Sequence, residues 1–374
     1  MMRRYFILFI LALISVACDP VSENAPEFEQ KQKTVLVYMV ANNNLSSNAE
    51  NNLSSMKGGY IPSDDNLLVY MHLSNSTPVL LRLHKDGSGA VVQDTVYRFP
   101  AHNSADAKSL SSVLKVSQTM FPAQEYGLVL WSHGTGWLPE GYYTKSFGAD
   151  GGKEMDIKDL AAALPCRMDF VLFDACLMGG IEVAYELKDS VDYVISSPAE
   201  ILSQGFPYSK IMQHIFRTPM ELESVAKEYF DHYNGQSGSM RSATISVVKC
   251  SELDAVASET AKILKEYGGN IGQVDTLGVQ RYYRGTKHWF YDFGNYISEL
   301  SGGNDAQFQA ALAKAVVYKA TTPYFLEIAI DQKRYSGLST YIPSPTADKE
   351  LVEYYSKFKW SKDTGYLAAE PEQE

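Results

Sequence analysis

Cysteine is scarce in this chain, with four in 374 residues, at positions 18, 166, 176 and 250. That is far below the density of a disulfide scaffold, so a hydrophobic core must hold the fold. Basic residues are also in short supply: 33 Lys and Arg stand against 44 Asp and Glu, for a formal net charge of -11 and a pI near 5.2. The chain therefore lacks the positive footprint of a nucleic-acid binder. Its long-range field weakly favours cationic partners instead. No His, Asp or Glu stand at metal-ligand spacing, so neither a metal nor another cofactor is expected. Internal repeats and long Gly/Ser linkers are missing from the body of the sequence. The 25 Tyr are scattered and form no stacking platform.

What is present suits a globular protein: 45% hydrophobic and 21% charged residues, enough for one large domain or two modest ones. The first residues form a separate unit. A basic start, Met1-Met2-Arg3-Arg4, precedes the apolar run Tyr5 to Ala17 and then Cys18. This is the layout of a secretory signal peptide, and the run is shorter than the about 20 residues a membrane span needs. Ser15-Val16-Ala17-Cys18 resembles a bacterial lipoprotein signal, with Ser15 where Leu is usual. Residues 1–18 are thus expected to be a signal ending at an acylated Cys18. Residues 19–32, polar and with two Pro, read as a flexible tether. Residues 33–367 form the folded part, with a C-terminal subregion from about 211, and 368–374 a frayed acidic tail. Three further cysteines then remain in an exported protein, an odd number. Cys166 and Cys176 lie at opposite ends of a predicted strand, beyond the reach of a disulfide. Cys176 is expected to be a free thiol.

Thr34 to Val40, Leu67 to Leu73, Gly127 to Trp131, Met168 to Phe173 and Val191 to Ile195 are aliphatic runs that read as strands. Helices are expected at Ala105 to Met120, Asp156 to Leu164 and Leu177 to Leu187, with a hairpin over Pro78 to Tyr97. This alternation predicts an α/β fold with a mostly parallel sheet covered on both faces. Beyond about Ile211 the pattern is mainly helical (Met220 to Tyr233, Glu252 to Tyr267, Phe290 to Leu300, Ala306 to Lys319). Late strands are expected at Ala243 to Val248 and Gly337 to Ile342.

Two strands run out into residues capable of chemistry. Leu128-Val-Leu-Trp-Ser-His-Gly-Thr-Gly-Trp137 delivers His133 into a Gly-rich loop, and Phe170-Val-Leu-Phe-Asp-Ala-Cys-Leu-Met-Gly179 delivers Cys176. Ligands bind open parallel sheets outside the carboxyl ends of the strands, so neighbouring strands would bring the two together. A thiolate at a helix N-terminus beside an imidazolium can attack a peptide carbonyl, and His133 can protonate the leaving amine. The backbone N–H groups of Gly134 and Cys176 are candidate oxyanion donors. Ser132 and Thr135 have no base placed for them. His72, His84, His102, His214 and His288 lack comparable settings. Cys250 also falls at a strand-to-helix junction, but no His-Gly strand end lies near it in sequence. A non-catalytic binding protein on a peptidase scaffold is the competing reading.

Tyr126-Gly-Leu-Val-Leu-Trp-Ser-His-Gly-Thr-Gly-Trp137 resembles the histidine motif of the clostripain family of cysteine peptidases, and Phe173-Asp-Ala-Cys-Leu-Met-Gly179 its nucleophile motif. Tyr38 to Leu45, Glu182 to Glu186, Gly205 to Tyr208, Tyr291 to Gly294 and Tyr335 to Pro343 resemble further family blocks, with Asn42 and Pro207 where relatives more often carry Asp. The resemblance implies a caspase-like three-layer α/β/α sandwich with a mainly helical C-terminal extension. It also implies an endopeptidase acting on protein or peptide substrates; together with the lipoprotein-like N-terminus, the chain is expected to be a monomeric, lipid-anchored enzyme of the bacterial cell envelope. The resemblance implies cleavage after Arg or Lys, with Asp174 on the floor of the specificity pocket, where a carboxylate would pair with the cation. Asp174 read as a cap of the following helix is the alternative. Members are often processed in the loop after the histidine, and Lys145 is the candidate site here. Some use calcium, though no EF-hand loop is present.

Overall fold

The computed structural model describes residues 29–139, 147–282, 288–344 and 347–367. The signal segment with Cys18, most of the tether, Lys145 and the tail 368–374 lie outside the described residues. No helix among the described residues is long and apolar enough to cross a membrane.

The aliphatic runs condense into one sheet. Its strands begin with β1 (Lys31–Ala41), β2 (Asn66–Leu73), β3 (Val79–Lys85), β4 (Val91–Arg98) and β5 (Ala123–Trp131). A small hairpin, β6 (Phe147–Asp150) and β7 (Lys153–Met155), intervenes before β8 (Met168–Asp174), β9 (Val191–Ser196) and β10 (Thr244–Lys249). After the short β11 (Tyr291–Asp292), β12 (Val316–Thr321) completes the sheet. Three two-residue strands follow, β13 (Tyr324–Phe325), β14 (Ile328–Ala329) and β15 (Ser339–Thr340). The nine strands of the main sheet run in the order β12-β10-β9-β8-β5-β1-β2-β3-β4. From β9 to β2 all neighbours are parallel. Antiparallel pairings extend both edges.

The helices are α1 (Ser46–Lys57), α2 (Ala107–Met120), α3 (Ile157–Ala163), α4 (Ile181–Leu187), α5 (Tyr208–Ile215), α6 (Leu222–Asn234), α7 (Leu253–Tyr267), α8 (Phe293–Ser301), α9 (Ala306–Ala315), α10 (Lys349–Tyr355) and α11 (Lys359–Thr364). They cover both faces of the sheet, and β1 shows the division. Val35, Val37, Met39 and Ala41 pack into one core with Met56 of α1, Ile211 of α5 and Tyr229 of α6. Leu36, Tyr38 and Val40 point into the other, shared with Leu110 of α2, Val183 of α4 and Val256 of α7. This is the two-residue period of a strand. Each such buried aliphatic side chain contributes about 1.5–3 kcal/mol. The result is the expected three-layer sandwich.

Several expectations are corrected. β1 already pairs at Lys31, opposite Ala123, two residues inside the span read as tether. The helix expected over Ala306 to Lys319 ends at Ala315. Val316-Val-Tyr318 is β-branched and aromatic, and it pairs with β10 as an edge strand. The C-terminal third is thus part of the main sheet through β10 and β12. Of Gly337 to Ile342, read as a late strand of the same or an adjoining layer, Ser339–Thr340 forms a strand paired with β11 outside the main sheet.

Gly127, inside β5, lies so close to the Phe170 ring that an added Cβ would stand 2.2 Å from it. Gly127→Val should therefore destabilise the protein by about 1–3 kcal/mol through overpacking. Urea denaturation tests this, and a shift near zero would contradict the packing of β5 on β8.

Candidate active site

The sheet order reverses around β1, because α1 leads from β1 to β2 on one side while β5 lies on the other. A crevice forms where such connections diverge. β5 and β8 are parallel neighbours, with Trp131 opposite Asp174 at their last paired positions. His133 and Cys176 each lie two residues beyond that pair, so equal overhangs carry both past the same sheet edge. Both line one cleft of about 280 Å³ together with Asp174, Glu200, Ile201, Phe325 and Leu326. The two strand tips thus open onto the same cleft.

Cys176 does not open a helix, however. Leu177 adopts a left-handed backbone, φ 62°, and α4 starts only at Ile181, after Gly180 as its N-cap. The intervening backbone bonds sideways to the chain leaving β9: Leu177 N–H donates to Ala199 C=O and Gly179 N–H to Ser197 C=O, each at 2.8 Å. A Cβ on Gly179 would meet Pro198 N at 2.5 Å, so only glycine permits this approach. The sulfur instead meets the backbone of Ile201. Ile201 N–H donates to Cys176 Sγ at 3.3 Å, and the thiol reaches Ile201 C=O at 3.6 Å. The Ile201 N–H is thus a stabilising dipole at the nucleophile, which does not sit at a helix end.

His133 Nε2–H donates to Asn44 Oδ1 at 2.7 Å. Asn44 stands in the turn leaving β1, a third strand tip at the same edge. Strand-tip reasoning would have found it had it been applied to β1. Gly134 packs tightly on the nucleophile loop: a Cβ there would stand 2.7 Å from Cys176 C=O. Its lack of a side chain thus brings the two loops into contact.

Asp174 is almost wholly buried, 4% exposed, and lines the cleft. Its Oδ2 accepts from Phe206 N–H at 3.1 Å and from Tyr208 O–H at 2.8 Å. Burial raises its pKa to about 6, against the lowering effect of these two donors. Its partners flank Pro207 at the start of α5, so Asp174 does not cap α4. Gly205, at φ 69°, leaves the carboxylate room: a Cβ there would stand 2.6 Å from Oδ2. Glu200 is a second acid lining the cleft, one that sequence reasoning missed because it follows β9 in an irregular segment.

Of the remaining sequence candidates, Ser132 Oγ donates to Val40 C=O at 2.7 Å, a structural link between strand tips. Asn42 donates to Asp150 Oδ1 at 2.7 Å, and His72 Nδ1 lies 3.0 Å from Asp150 Oδ2. His214 pairs with Glu221, and His84 with Asp94. Cys250 is buried, and burial pushes its thiol up to about 12, unsuited to a nucleophile. Cys166, Cys176 and Cys250 all carry free thiols.

The family profile of the clostripain family matches residues 37–371. The chain belongs to the clostripain family. An inactive zymogen C11 protease from Parabacteroides distasonis superimposes with a TM-score of 0.79 at 33% identity, over 90% of this chain and 99% of that one. A secreted C11 cysteine protease from Bacteroides thetaiotaomicron, in complex with an irreversible peptide inhibitor, gives 0.80 at 31% identity and the same coverage. Clostripain of Hathewaya histolytica is 26% identical over 233 residues, 52% of this chain. The aligned part spans only 44% of that relative's length. The nine-stranded sheet with helices on both faces is the caspase-like α/β fold of these clostripain-family structures.

Tyr208→Phe should move the Asp174 titration upward from about 6, because the lost O–H stabilises only the ionised carboxylate. Carboxyl 13C chemical shifts followed against pH would show it. A downward or absent shift would contradict the geometry.

Proposed function

We propose that the protein is a cysteine endopeptidase in which Cys176 is the nucleophile and His133 its acid–base partner. The observation that carries this is the meeting of these two residues in one cleft at the ends of adjacent parallel strands. Cys176 Sγ gives its proton to His133 and attacks the scissile carbonyl carbon, forming a tetrahedral oxyanion. The backbone N–H groups of Gly134 and Cys176 bind that oxygen. Collapse expels the amine, which takes the proton from His133, and leaves a thioester. Water deprotonated by His133 then attacks the thioester, releasing the acid and restoring the thiol.

The bond cleaved follows an Arg or Lys. A cation entering the cleft meets Asp174 at its floor, with Phe206 N–H and Tyr208 O–H holding one oxygen and the other left for the ligand. In a buried setting such a pair is worth far more than at the surface. Lys145 is proposed as the internal processing site and Cys18 as the acylated anchor, making the protein a bacterial cell-envelope lipoprotein acting on peptide or protein substrates.

A peptide-library digest with wild type, Cys176→Ala and His133→Ala tests the assignment: cleavage after Arg or Lys is expected from wild type alone. Iodoacetamide should label Cys176, and labelling should fall in His133→Ala. Wild type that binds peptides without cutting them would sink the peptidase reading in favour of a binding protein. For basic substrates, kcat/KM should fall as pH drops through about 6, because protonated Asp174 no longer pairs with the cation. Asp174→Asn should lose most of the preference for Arg and Lys at neutral pH and remove that acidic limb.

A further inference from the structure

The segment entering and forming α1 carries asparagine at positions 44, 48 and 52. Asn48 and Asn52, four apart, lie on one side of α1, and Asn44 stands in the turn that precedes it. Asn44 Oδ1 accepts from His133 Nε2–H at 2.7 Å. Asn48 Nδ2 donates to Ser203 C=O at 2.8 Å. Asn52 Nδ2 donates to Gln204 C=O at 2.9 Å, while its Oδ1 accepts from Trp131 Nε1–H at 2.7 Å. Ser203 and Gly205 border the cleft beside Ile201, and Gly205 stands over Asp174. The turn before α1 and one side of its first two turns thus hold the imidazole, the strand tip that carries it, and the segment that walls the specificity pocket.

We propose that Asn44, Asn48 and Asn52 form a positioning ladder that sets two properties of the site separately. This rests on the peptidase reading above. The upper rung, Asn44, governs the chemical step. By holding hydrogen on Nε2 it makes Nδ1 the nitrogen that exchanges a proton. Being neutral, it orients the ring without the electrostatic stabilisation of imidazolium that a carboxylate would add. The lower rungs, Asn48 and Asn52, govern substrate binding, because they pin the backbone at Ser203 and Gln204 that keeps Gly205 against Asp174. An amide suits these positions. Its N–H donors and its carbonyl acceptor sit on separate atoms, so it can bridge two groups, as Asn52 does between Gln204 and Trp131. Asn52 is buried, 6% exposed, so losing either bond would strand a polar group. The adjacent Leu45 also borders the cleft, placing the whole turn at the substrate's edge.

The test separates kcat from KM on a peptide ending in Lys or Arg, with thermal melting alongside and iodoacetamide alkylation of Cys176 across pH. Asn44→Ala should cost about 10- to 100-fold in kcat, part of the ~10²–10⁴ that general acid–base catalysis supplies. KM should stay within about twofold, as expected when the lost interaction serves the transition state. Asn44→Asp should restore much of the rate and move the imidazole limb of the alkylation profile upward, since its carboxylate accepts the same hydrogen and favours imidazolium. Asn52→Ala should raise KM severalfold for basic substrates with kcat nearly kept. Asn48→Ala, half-exposed, should do the same more weakly and guards against misfolding of the buried variant. Two results would overturn the ladder: an unchanged kcat and alkylation profile in Asn44→Ala, or parallel losses of kcat, KM and melting temperature at positions 44 and 52. Failure of the peptidase reading looks different. Wild type would then cleave no peptide, and alkylation of Cys176 in Asn44→Ala would still decide the upper rung.

Discussion

The register of β5 against β8 is the constraint on which the site depends. Trp131 faces Asp174 across that pair, and every chemical residue is counted from it: His133 and Cys176 two steps outward, Asp174 in the pair itself. A slip of one residue would turn each side chain to the opposite face. The register is secured by burial on both faces, where Leu128, Val129, Leu130, Val171, Leu172 and Phe173 are all inaccessible to solvent. The close fit of Gly127 against Phe170 restricts it further. Core packing and catalytic geometry are therefore one problem, solved by the same strands.

The electrostatics of the cleft are built from backbone and neutral groups more than from ion pairs. The sulfur meets an amide N–H, the imidazole meets an asparagine, and Asp174 meets an amide and a tyrosine hydroxyl. Asp174 carries its charge in a buried setting, and burial makes that charge costly, as its raised pKa records. A cationic side chain entering the cleft would compensate the cost. Stored cost of this kind is a common feature of functional sites. The chain's overall acidity acts in the same direction at longer range.

Much of the fold was legible because buried parallel strands leave unbroken aliphatic runs, and all five central strands were found from them. The failures have physical causes. Ala306 to Lys319 contains helix formers followed by β-branched residues, and only the open edge of β10 decides where one state yields to the other. Leu177 to Leu187 reads as a single helix, yet Gly179 must approach Pro198, and Leu177 turns left-handed so that the chain can follow the strand-end segment of β9. Local propensity carries no information about that neighbour.

The order of residues alone determined that a thiol and an imidazole follow two buried strands, because hydrophobic continuity and the Gly-rich exits are local properties. It also determined that Cys176 has no disulfide partner within reach along its strand. Tertiary structure decided what surrounds them. Asn44 reaches His133 across 89 positions, Ile201 reaches the sulfur across 25, and Tyr208 reaches Asp174 across 34. Contacts at such separations depend on how strands are ordered in the sheet. That order comes from packing both faces at once, and no short window of the chain contains it.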